Sequence, residues 1–195
     1  GRAGRMNARL MAIVAAGIRG RIYLPPTPEH EMILQRSSSC WKPEQDLVGK
    51  SADQLPLYGM SQYWQLFTSR QLVMLTTLSD MLQTIREKVY RDACVGSLPD
   101  DDRPLRDGGT GAIAYAEAVE TYIAFAIDRC CDFSNTCTRW VPGNQKVMNL
   151  FGRQAIPMVW DYAEANVLAK VVGGFLPSVE FIADCINTLP HYGHG

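Results

Sequence analysis

The sequence predicts a mainly α-helical fold, a helical bundle with a short β-hairpin at its N-terminus. Three observations predict it. Leu72, Leu75, Leu78, Leu82, Ile85 and Val89 recur at spacings of three and four, the apolar stripe of a helix with one buried face. A second run, through Ala112, Ile113, Ala116, Val119, Ile123, Ala126, Ile127 and Cys130, keeps the same period. The β-branched and aromatic residues Ile13, Val14, Ile22 and Tyr23 cluster in two short runs near the start, where they favour strands. Size and charge allow this: 195 residues, 47% apolar side chains and 19 Lys+Arg against 20 Asp+Glu can close a core without staples. The same balance excludes a wholly basic nucleic-acid binder and an acidic disordered chain.

Residues 1–28 read as a basic hairpin. They hold Arg2, Arg5, Arg9, Arg19 and Arg21 and no acid, leaving 14 cations against 20 anions from Glu29 onward. Pro25-Pro26 ends the hairpin, and Thr27-Pro28-Glu29 opens a short helix with a hydroxyl cap ahead of Pro at the first helical position. Residues 29–60 comprise that helix and an extended connector, since 37–59 is rich in Ser, Pro, Gly and Asp. Residues 61–195 are expected to form the bundle as one structural unit. Its first long helix starts at a capping box, Thr68-Ser69-Arg70-Gln71, whose hydroxyl and Gln can satisfy two orphan N–H groups. After a loop over 98–111 the second helix follows, and its nearly all-round apolar character places it at the bundle's centre. Short helices are expected over 144–151 and 157–165, and a last one over 176–189, with Pro177 near its start.

Cys40, Cys94, Cys130, Cys131, Cys137 and Cys185 show no CxxC pair and no Cys/His spacing of a zinc site. No metal or cofactor is expected in this chain. Gly108-Gly109-Thr110-Gly111 precedes a helix and invites a phosphate cradle, but no buried strand leads into it; a sharp turn into a buried helix explains the glycines better. Trp160-Asp161-Tyr162-Ala163-Glu164 offers two carboxylates without a neighbouring nucleophile or histidine. G-x-S-x-G, P-loop and HExxH motifs are absent, and so is the Asp/Asn-Pro-Pro-Tyr/Phe tetrad with which amino-methyltransferases hold a target amine. Arg70, Arg106, Arg139 and Arg153 lie in breaks or a first helical turn, where cations reach nucleic-acid backbones. Arg153, between apolar neighbours, calls for Asp161 or Glu164 as partner.

The strings LFTSRQLVMLTTLSD at 66–80, PLRDGGTGAIAYAEAV at 104–119 and FGRQAIPMVWDYAEAN at 151–166 together resemble the interior of adenine-specific DNA methylases that combine a domain of unknown function, an embedded zinc ribbon and a methyltransferase core. The resemblance spans nearly the whole chain. It departs from the family after Asn166, where Val167-Leu168 replaces Pro-Phe, and at Ser69, which replaces Pro. It implies that S-adenosylmethionine and zinc belong to parent sequence upstream and the catalytic tetrad to sequence downstream. No catalytic, cofactor or metal residue carries over.

The expected function is therefore that of a non-catalytic module of a DNA methylase, helping to position DNA or brace the catalytic core. Its expected partners are the remaining parent domains and duplex DNA. Arg2, Arg5, Arg9, Arg19, Arg21, Arg70, Arg106, Arg139 and Arg153 are the candidate contacts. Alternatives are a purely structural insert without DNA contact and, more distantly, an independent enzyme using the Gly108–Gly111 loop. No run approaches the roughly 18 apolar residues of a membrane helix and no export signal is present, so a cytoplasmic location and no membrane partner are expected. Gly1 and the closing His194-Gly195 read as the ends of a piece cut from a longer polypeptide.

Overall fold

A computed structural model describes residues 7–152 and 154–190. The fold is mainly α with an N-terminal hairpin. Strand β1 (Ile13–Gly17) pairs antiparallel with β2 (Gly20–Leu24), Gly17 opposite Gly20 and Ile13 opposite Leu24. Helix α1 (Pro28–Leu34) follows. The Thr27 hydroxyl accepts the His30 amide, and His30 Nδ1 accepts the Thr27 amide at 3.1 Å, so a histidine closes the capping box. Helix α3 (Ser69–Val95) begins at the expected box, with the Thr68 amide on Gln71 Oε1 at 2.9 Å and the Gln71 amide on Thr68 Oγ1 at 3.2 Å. Helices α4 (Ala112–Phe133) and α5 (Phe175–Thr188) lie within a few residues of their expected spans. No described helix is long and apolar enough to cross a membrane.

Three expectations are corrected. The connector is not merely extended: it holds α2 (Ser51–Gln54), a 3₁₀ turn at Leu55–Tyr58 and the fully buried Leu55. Residues 43–47 also run antiparallel to 61–64, with Leu47 N on Ser61 O at 2.8 Å and Tyr63 N on Gln45 O at 3.0 Å. In place of a helix over 144–151, β3 (Trp140–Val141) and β4 (Lys146–Val147) form a second small hairpin. Pro142-Gly143-Asn144 supply its turn, and β-branched Val141 and Val147 suit its strands. In place of a helix over 157–165, the chain is extended, with Ala163 N on Thr138 O at 3.0 Å and Tyr162 bridged to Arg139. Long-range pairing there overrides local helix propensity.

Contacts divide the chain into two compact units, the first comprising residues up to Met74 with Phe133–Glu164, the second Leu75–Asp132 with the residues from Ala165 onward. The first unit's core gathers Leu47, Leu55, Leu66, Cys137 and Leu150. In the second, α4 buries Ala112, Ala114, Ala116, Ala126, Ile127 and Cys130. Cys130 Sγ lies 3.7 Å from Ser178 Oγ on α5, and the Arg129 guanidinium sits 3.8 Å from the Phe181 ring centre. The same helix exposes Tyr115, Tyr122 and Phe125, so it is not buried on all sides.

Candidate nucleic-acid interface

The first unit joins cations distant in sequence. The Arg21 amide donates to Gln145 Oε1 at 3.2 Å, and Trp140 Nε1 donates to the Tyr23 hydroxyl at 3.0 Å. The Tyr23 and Trp140 rings meet edge to face, 6.3 Å apart. These contacts dock the basic hairpin on the β3–β4 hairpin, so Arg19 and Arg21 share one assembly with Arg139 and Lys146. Gln145, φ 49, takes a left-handed conformation uncommon for a residue with a side chain. Its side chain holds the hairpin in return through the Arg21 amide, next to Gly20, whose φ of +144 few other residues adopt. Arg9, Arg19 and Arg139 are exposed and Arg21 is half-buried. No ion pair among the described residues engages any of the four, or Lys146. Arg2, Arg5 and Arg153 lie outside the described residues.

Sequence reading missed Lys146, Tyr23 and Gln145. The signal that finds them is Pro142-Gly143-Asn144 between Arg139-Trp140-Val141 and Lys146-Val147, turn residues between two short β-prone runs.

Arg70 has a different job. Its guanidinium grips both Glu164 carboxylate oxygens, at 3.0 and 2.5 Å, and donates a third bond to the Leu34 carbonyl at 2.7 Å. The end of α1, the start of α3 and the extended 160s segment are thereby tied together, and Glu164, a candidate partner for Arg153, is taken. The two side chains are 29% and 27% exposed. Water thus screens part of the attraction, and Arg70→Met is expected to cost about 1–2 kcal/mol in denaturant unfolding while leaving the salt dependence of any DNA binding unchanged. A lower salt slope in a variant of full stability would instead place Arg70 on DNA.

Arg106 lies in the second unit, on a 3₁₀ turn at Leu105–Asp107, where its Nε is 3.9 Å from the Asp107 carboxylate. The surrounding loop is acidic and organises itself. Asp101 accepts the Thr110 amide at 2.9 Å and the Arg103 amide at 3.3 Å, and the Glu117 carboxylate accepts the Leu105 amide at 2.7 Å. The Thr110 bond above all holds the Asp101 carboxyl below its usual range. An external phosphate would meet a carboxylate already seated before α4, which speaks against the cradle.

No three His, Cys, Asp or Glu side chains gather as a metal site among the described residues. The implied zinc therefore finds no donor set in them. Burial pushes the Cys130 and Cys137 thiols up, and the Cys131 thiol to about 12, so all three stay protonated and unreactive at neutral pH. The groups that stand ready in the first unit are cations and aromatic rings, which contact phosphates and bases. No family model, curated protein or solved structure matches the chain.

Proposed function

We propose that this chain is a non-catalytic helical module of an S-adenosylmethionine-dependent, adenine-specific DNA methylase, and that it positions duplex DNA for chemistry performed by neighbouring sequence. One observation carries the reading: the acid-free hairpin, docked through Tyr23 on Trp140, presents Arg19 and Arg21 in one assembly with Arg139 and Lys146. Unpaired cations beside aromatic rings suit a polyanion, and they supply backbone contacts that an enzyme acting on an extruded base needs beyond its pocket. Arg9, Arg19, Arg21 and Arg139 are the DNA contacts; Arg70 serves the fold, and Arg106 belongs to the second unit beside Asp107. The resemblance of the three strings supplies the methylase context, with S-adenosylmethionine, zinc and the remaining domains contributed by the parent.

The test is duplex binding across a salt series. The R19Q/R21Q/R139Q chain should bind roughly tenfold more weakly at moderate salt, with a log–log slope shallower by about three units. An unchanged slope would remove these arginines from the interface. A second reading, a brace against parent domains, draws on the exposure of Met11, Ile22 and Leu24 along the hairpin. It predicts no DNA binding by the isolated chain.

A further inference from the structure

Resting on the DNA-positioning reading, we infer that Ile18, at the tip of the β1–β2 hairpin, is an apolar wedge that enters the base stack of duplex DNA and kinks it. Two-residue hairpin turns favour Asn, Asp and Gly, whose backbones fit the tight reversal. Here the turn is Ile18-Arg19, with a β-branched residue first. The positive φ that asks for such residues falls on Gly20 and on neither turn residue, so the turn admits Ile18 without strain but does not call for an apolar side chain there. Packing does not account for it either, since Ile18 is 104% exposed, as open as in an extended peptide. The flanking positions keep the tip thin. A Cβ at Gly17 would stand 2.8 Å from Ile22 Cγ2, and one at Gly20 3.3 Å from Gln145 Oε1. Ile18 therefore projects alone from a ribbon two strands wide.

Strand β2 is held close to the turn, while the Ile18 side chain itself is free. Arg21 N on Gln145 and Trp140 on Tyr23 anchor β2, so force on the tip reaches the fold and does not fold the finger back. Arg19 stands beside Ile18 and Arg21 two residues on, with no acid from Asn7 to Pro28. That charge selects a polyanion over an apolar protein groove. Apolar side chains flanked by arginines unstack a base step and bend the duplex, and the extra phosphate contacts offset the lost stacking.

The experiment uses the full chain and an A·T-rich duplex of roughly 30 base pairs, carrying fluorophores at its ends and 2-aminopurine at the central step. Binding of the unaltered chain should raise end-to-end energy transfer and 2-aminopurine emission together. Ile18→Ala, which removes no folded contact, should abolish both signals while keeping the salt slope. Arg19→Gln should do the reverse, shortening the slope by about one unit and preserving the bend at saturation. A duplex that binds but stays straight, or that bends equally with Ile18→Ala, overturns the wedge and leaves the DNA reading intact. Absence of binding by the unaltered chain overturns both.

Discussion

Gly109→Ala should destabilise the chain by upward of 3 kcal/mol, a magnitude on the order of the severe single-site losses caused by backbone collision. The added methyl would sit 2.0 Å from the Arg103 carbonyl oxygen, 2.7 Å from its carbon and 3.0 Å from the Pro104 oxygen. These are backbone atoms, and no rotamer can move them aside. The loop has no freedom to yield, because Gly109 N is bonded to Pro104 O at 3.1 Å and Ala112 N to Pro99 O at 2.9 Å. A chain of this length should lose roughly 6–12 °C in thermal unfolding. Gly108→Ala separates the effects of space and strain. Nothing stands within 4 Å of a Cβ there, and only its φ of +76 is unfavourable, so about 1 kcal/mol is expected. Equal stability of Gly109→Ala and the unaltered chain would show that the loop does not close on itself. The glycines would then regain their claim to a ligand.

The parts of the fold written in local periodicity were legible. The stripe from Leu72 to Val89, the box at Thr68–Gln71 and the Thr27-Pro28 start each act within a few residues, and the helices stand where they indicate. The segments that misled depend on partners far away. Trp160–Glu164 carries helix-compatible residues, yet Thr138 and Arg139 pair with it as an extended segment, and Arg70 takes its carboxylate. No sequence window contains both sides of those contacts. The candidate site divides the same way. An acid-free run at the N-terminus was visible as composition, and so was the cationic character of Arg70. That Arg70 faces Glu164 and Leu34, while Arg139 stands beside a tryptophan bonded to Tyr23, follows only from the tertiary pairing of 133–164 with the N-terminal third.

Leu55→Ala should cost about 3 kcal/mol, the middle of the range for emptying a fully enclosed leucine site. Leu55 has no exposed surface, and Leu47, Leu66, Cys137 and Leu150 gather with it in one buried cluster. Its backbone leaves little room for collapse. The Leu55 amide bonds to Ser51 O, and its carbonyl accepts the amides of Gly59 and Met60, the latter at 3.2 Å. The lost methyls therefore leave a cavity as well as a transfer loss. Leu57→Ala, two residues on and 53% exposed, should stay within about 0.5 kcal/mol, and Leu55→Met, which keeps the volume, should cost under about 1.5 kcal/mol. The same core supports the candidate interface: Leu66 O accepts the Thr136 amide at 2.7 Å and its hydroxyl at 2.9 Å, just before Arg139 and Trp140. Well below its melting temperature, then, Leu55→Ala should leave any DNA affinity unchanged while unfolding earlier. Equal stability of the Leu55 and Leu57 variants would return residues 37–59 to the status of a connector and leave the Arg139–Trp140 strand without its floor.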